Sequence, residues 1–176
     1  MSGPFGLQQG LKLNEIPFEN QEIQPYLYLF TSLQKKHSSF SQYALKITPT
    51  YGLTWIKAIG NPIQTNSFGT ALQTNFSDFL ERLKKIYGEP KKSDFLLSGS
   101  CWDRPEDWLS GLDSGERVLC AQWDRENGLD LPNNLKCVFL GAQAIDSQEG
   151  NIVVEYYFEN DDAAEKEINA LEDDAL

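Results

Sequence analysis

Residues 75–90 read NFSDFLERLKKIYGEP, and this stretch decides the fold. Phe76, Phe79, Leu80, Leu83, Ile86 and Tyr87 recur at intervals of three and four, which lines them along one stripe of an α-helix. Asn75 or Thr74 offers a side-chain oxygen to the unpaired amides of the first turn, and Asp78 complements the positive end of the helix. Lys84 and Lys85 suit the last turn, Gly88 is a common C-terminal stop, and Pro90 bars continuation. The pattern predicts an amphipathic helix over 75–87 that lays Phe76, Phe79, Leu80, Leu83 and Ile86 on a sheet.

The strands for that sheet lie on both sides of the helix. Residues 26–30 (YLYLF) form a short apolar run, and a polar loop through Lys35, Lys36 and His37 follows it. Tyr43, Leu45 and Ile47 alternate with Gln42, Lys46 and Thr48, and residues 49–52 (PTYG) turn the chain into a second run from Leu53 to Ile59. Together these predict a β-hairpin. Beyond the helix, Val118, Cys120 and Gln122 alternate with Leu119, Ala121 and Trp123. Runs at 135–144 and 151–158 flank a hairpin loop at 146–150. Residues 3–16 read as a glycine-punctuated opening and a short helix, stopped by Pro17. Residues 104–109 (RPEDWL) read as one helical turn begun by proline.

The expected fold is therefore α+β: a mainly antiparallel sheet packed by one main helix, with short N-terminal and acidic C-terminal helices. Residues 1–160 are expected to form a single domain. Residues 161–176 are expected to be an acidic tail or weak helix, dispensable for folding.

Charge is unevenly spread. The net charge is −11, and the segment from Glu159 onward holds eight acids against Lys166 alone. That segment carries −7 and leaves the body at only −4. Nucleic-acid binding needs a basic face, so the expectation is no nucleic-acid partner and a protein partner with a basic surface. No stretch reaches the length of a membrane span, so no membrane is expected either. The opening residues MSGPFG carry no charged or long apolar leader, and Cys101, Cys120 and Cys137 are few and widely spaced. A reducing, cytoplasmic location is the corresponding expectation.

Catalytic chemistry is sparse. His37 is the sole histidine and sits in a polar loop. Cys101 follows a small-residue turn, but Asp103, Glu106 and Asp107 around it disfavour a thiolate. Asp103 and Asp107 have the spacing of one helical face, yet helix-start capping by Asp103 accounts for them more simply. No phosphate loop, metal signature or cofactor motif is present, so no cofactor and no metal are expected. Trp102, Trp108 and Trp123 occur with Asp103, Glu106, Asp107, Asp124 and Glu126. Aromatic anchors ringed by charge compose binding hot spots, and these eight residues are the candidate partner-binding group. The competing reading is core tryptophans and solvated acids.

Two segments share a loose pattern: Phe5-Gly6-Leu7 with Gly10, Leu11, Leu13 and Ile16, and Phe68-Gly69 with Leu72, Phe76, Leu80, Leu83 and Tyr87-Gly88-Glu89-Pro90. The helix ending in Tyr-Gly-x-Pro before strands resembles the helix-to-sheet junction of β-lactamase-inhibitor-like and outer-membrane-assembly-lipoprotein-like modules. The resemblance implies protein binding through the sheet or its loops. As a small, acidic chain without catalytic motifs, it also resembles bacterial toxin-immunity proteins. The functional expectation is a non-enzymatic immunity protein or inhibitor that occludes a toxin. The alternatives are an acidic nucleic-acid mimic or anti-defence protein, and an enzyme using Cys101 or the Asp103/Asp107 pair.

Overall fold

The computed structural model describes residues 2–176. The protein is α+β, built on a nine-stranded antiparallel sheet with one main helix and two shorter ones. The strands are β1 (Asn20–Gln24), β2 (Leu27–Phe30), β3 (Phe40–Thr48), β4 (Gly52–Gly60), β5 (Ile63–Gln64), β6 (Lys91–Leu96), β7 (Arg117–Asp124), β8 (Leu135–Ala144) and β9 (Glu149–Phe158). The helices are α1 (Thr70–Tyr87), α2 (Trp108–Asp113) and α3 (Asp161–Asp173). Among the described residues no helix is long and apolar enough to cross a membrane.

The chain groups into two compact units, with β8 and β9 each divided between them. The first unit comprises residues 1–59, 130–138 and 155–176. Its strands run in the order β1-β2-β3-β4, and Leu27 to Phe30 pair with Lys46 to Tyr43. Phe30, Tyr43, Leu45, Leu53, Ile56, Leu135 and Phe158 make its core. The predicted opening helix is replaced by two isolated 3-10 turns, Pro4–Gly6 and Leu13–Glu15. Phe5 holds a left-handed backbone (φ 54°), and its ring meets Tyr43 edge-on at 4.8 Å. Tertiary ring packing thus stabilises a local conformation that a phenylalanine disfavours.

The acidic C-terminal segment is a helix, α3, docked on the first unit through its acids. Asp161 is buried, accepting hydrogen bonds from Lys46 Nζ at 2.9 Å and from the Thr54 hydroxyl at 3.0 Å. The same ammonium bonds Glu165, Lys136 pairs with Asp162 at 2.6 Å, and the Thr50 amide donates to Glu167 at 3.0 Å. Ala164 is fully buried between these anchors. Sequence reasoning saw the acids but not the lysines of β3 and β8 that meet them.

The second unit comprises residues 60–129 and 139–154, with strand order β9-β8-β7-β6 and β5 on β9. Leu72, Phe76, Leu80 and Leu83 form the buried stripe of α1. Leu119, Ala121 and Trp123 of β7 and Leu140 of β8 are buried in the same unit. The helix starts five residues earlier than the sequence pattern implies. Asn75 lies inside it and donates to the Ala71 carbonyl, while Asn66 Oδ1 receives the Thr70 amide at 3.2 Å. The other correction is at the far end, where Ile86 is 61% exposed and Phe79 only half-buried.

Leu83→Ala is expected to cost roughly 2–5 kcal/mol in a denaturant melt, and Ile86→Ala no more than about 0.5 kcal/mol. Equal losses would contradict this burial. Lys46→Met leaves Asp161 buried without its cation and is expected to lower stability by about 3 kcal/mol.

The pH dependence of α3 docking has a definite sign. Its hydrogen bond to Lys136 holds Asp162 below its ordinary 3.8. Burial opposes ionisation of Glu167, but bonds from Thr48 and Thr50 outweigh it and hold that carboxyl below 4.5. Both contribute stability that is fully present above those ordinary values and is lost as pH falls through the lowered ones. Burial alone would lower the Lys46 pKa. Its bonds to Glu165 and Asp161 raise it above 10.5 instead, so its contribution persists until pH climbs past the raised value. Circular dichroism against pH should show helix loss at the acid end below the ordinary carboxylate range. Loss of α3 already at pH 6 would contradict these assignments.

Candidate functional site

The second unit carries a groove at the start of α1. It is built from the turn of residues 66–69 and the 3-10 turn Pro105–Asp107 that runs into α2. In the first turn the Gly69 amide donates to the Asn66 carbonyl, and the Leu109 amide ties α2 to Ser67 at 3.0 Å. The Gln73 side chain donates to the Phe68 carbonyl at 2.8 Å, fixing that backbone with the Phe68 ring outside. Gly69 has φ +65°, and a Cβ there would lie 2.2 Å from Cε3 of Trp108. Glycine is required twice over, by backbone hand and by the indole seated against it.

Trp108 is accordingly only 7% exposed, and the Arg117 guanidinium stands 5.9 Å from its ring centre. Phe68, 47% exposed, forms one wall with Pro105 and the rim of Trp108; Thr70, Gln73 and Thr74 complete a groove of about 330 Å³. Arg104 clasps Asp107 through two hydrogen bonds at 2.9 and 3.3 Å, leaving Asp103 and Glu106 exposed beside the proline turn.

The eight predicted site residues do not form one patch. Trp102, Asp103, Glu106, Asp107 and Trp108 belong to the segment at the start of α1. Trp123, Asp124 and Glu126 belong to its other end, where Trp123 Nε1 donates to the Gly88 carbonyl at 2.7 Å. Eighteen helical residues separate the two groups, a span of about 27 Å. Trp123 is fully buried because it shares a strand face with Leu119 and Ala121, so it is no surface anchor. Trp108 is likewise core except for its rim. Trp102 is half-buried over Gly111. Asp124 caps the turn at 125–127 by accepting the Glu126 amide at 2.8 Å. That end is also rich in base: Arg82, Lys84, Lys85, Lys91 and Lys92 lie on α1 and at the start of β6. Asp103 does not cap the helical turn, whose N-cap is Arg104, without a side-chain cap, and whose first position is Pro105.

Phe68 is the residue that sequence reasoning missed. An apolar residue immediately before a left-handed glycine at a helix start cannot join the helix stripe, and that was the available signal.

Of the residues weighed for chemistry, Cys101 and Asp107 lie in the second unit and His37 in the first. Cys101 is exposed in the loop before the proline turn, while Asp107 is committed to Arg104. His37 lies in the first unit, where its Nδ1 accepts the Ser39 amide at 3.2 Å. Burial pushes the Cys120 thiol up, and a hydrogen bond with Ser93 only partly offsets this, so it stays protonated. A recess of about 510 Å³ on the same unit is lined by Val118, Cys120, Phe139 and Gly141, with Asp113 and Arg117 at one side. Among the described residues no three His, Cys, Asp or Glu side chains gather as metal ligands.

Fold and groove together define an α+β domain that presents an exposed aromatic beside acids. No family model matches the chain, and no curated protein or solved structure matches it.

Gly69→Ala is expected to cost roughly 2–4 kcal/mol, since it strains the backbone and evicts the indole. Tryptophan fluorescence should report increased solvent exposure. Phe68→Ala should stay within about 0.5 kcal/mol of the wild type. A stable Gly69→Ala protein with unchanged fluorescence would refute the packing of Trp108.

Proposed function

We propose that this protein is a non-enzymatic protein-binding domain, of the toxin-immunity or inhibitor kind, that occludes a basic surface on its partner. The observation that carries the reading is Phe68, a large aromatic held outside the core by a fixed turn, next to the exposed carboxylates of Asp103 and Glu106, the latter only loosely paired with Arg104 at 3.6 Å. An exposed aromatic anchor that costs the fold nothing to lose, with charge at its rim, is the composition of an interface hot spot. From Asp94 to Arg117 the chain holds six acids against two arginines, so the local field is negative. Such a field accelerates encounter with a basic surface and selects against acidic ones. A partner of this kind is a nuclease-like or other cationic toxin whose own active site is basic.

The test uses the partner recovered from cells of the source with the full chain as bait. Phe68→Ala is expected to speed dissociation. Asp103→Lys with Glu106→Lys should slow association by roughly tenfold at low salt and flatten its salt dependence. Asp124→Lys, at the opposite end of α1, should leave association unchanged. The partner's own activity should fall in proportion to complex formed. Binding that is indifferent to Phe68 and to both acids, or that leaves the partner active, would overturn the reading.

A further inference from the structure

We propose that β6 pairs with β6 of a second copy of this chain, antiparallel about a two-fold axis at Ser93, to give a weak, reversible dimer. β6 ends the strand order and pairs only β7 among the described strands. Lys91, Lys92, Asp94 and Phe95 are all exposed. An open edge of this kind is a template for another strand.

Parity of the ladder decides which groups face outward. The register sets Lys91 opposite Gln122, Ser93 opposite Cys120 and Phe95 opposite Val118. The Leu97 amide donates to the Glu116 carbonyl at 2.7 Å, which makes the next residues in step the hydrogen-bonded set. Bonding and non-bonding residues alternate in an antiparallel pair. Phe95, Ser93 and Lys91 therefore bond to β7, and the amides and carbonyls of Lys92, Asp94 and Leu96 point away from it.

Only a two-fold axis passing through a residue brings outward groups of two copies together. Centred on Asp94, the pairing sets Asp94 against Asp94. Centred on Phe95, it sets Asp94 against Leu96 and gives that carboxylate no cation across the new ladder, only Arg117 of its own chain at 3.9 Å. Centred on Ser93, it sets Lys92 of each copy opposite Asp94 of the other, on the same face, in a hydrogen-bonded pair. Opposite charges directly across a ladder stabilise it, and like charges oppose it. The edge is thus self-complementary in one register alone. On the other face the stem of Lys91 covers Phe95, which is 46% exposed in the single chain. Four backbone bonds, two ion pairs and two covered rings make a small interface, which is why the dimer is weak.

Sedimentation of the full chain over a concentration series tests this. The weight-average mass is expected to rise from 19.9 kDa toward twice that value. Lys92→Glu places like charges opposite twice by symmetry and should weaken association on the order of tenfold or more. Lys92→Glu combined with Asp94→Lys restores opposite charges and should restore the dimer. Lys92→Pro deletes an amide that does not serve β7 and should give a monomer whose unfolding midpoint stays near that of the wild type. A chain that is monomeric at every concentration overturns the proposal. So does a charge-swapped double variant that associates no better than Lys92→Glu.

Discussion

The second unit depends on the seating of α1 between two indoles. At its start the helix approaches Trp108 so closely that Gly69 must lack a side chain, and at its end the Gly88 carbonyl accepts the Trp123 Nε1 proton at 2.7 Å. Between these points Leu72, Phe76, Leu80 and Leu83 bury one continuous stripe. Burial along a helix fixes its face but allows sliding along its axis; the two glycine–tryptophan contacts remove that freedom. Burial also pushes the Tyr87 phenol up to about 12, so the ring beside Trp123 stays neutral at any ordinary pH. Everything at the groove inherits its position from this seating, including the exposure of Phe68.

Charge in this chain serves two separate ends. Most acids at the start of α3 are consumed internally by Lys46, Lys136 and the hydroxyl and amide groups of β3 and its following turn. They account for docking of a helix whose apolar surface is slight, since Ala164 is its only fully buried side chain. The acids beside the proline turn are different, because Arg104 hydrogen-bonds the buried Asp107 while Asp103 and Glu106 stay exposed, Glu106 only 3.6 Å from the same guanidinium. A net charge of −11 therefore overstates the acidity available to a partner, since several acids of α3 are engaged within the chain while Glu172, Asp173 and Asp174 stay exposed.

A large share of the fold was legible in the chain. The stripe from Phe76 to Leu83, the hairpin from Tyr43 to Ile59 and the alternation that buries Leu119, Ala121 and Trp123 all follow from period and turn chemistry. The first turn of α1 was hidden, because Thr70 and Thr74 are poor helix formers that are satisfied here by Asn66 and by the Thr70 carbonyl. β6 was hidden for the opposite reason. An edge strand with a largely exposed surface has no apolar alternation to show, and its residues KKSDFL carry no strand signal.

The candidate site was legible only in half. Its residue types, tryptophans among acids, were visible in the sequence, but spacing along the chain placed eight residues together that α1 holds apart. The sequence by itself determined which faces are apolar, where most elements stop, and that charge accumulates at the C-terminus, because these are set by neighbours a few residues away. Tertiary structure alone decided that Trp108 is core, that Phe68 is surface, and that Asp161, Asp162 and Glu165 of α3 meet lysines of distant strands. Those outcomes depend on which segments meet across the sheet, and no local pattern of side chains encodes a meeting between residues a hundred positions apart.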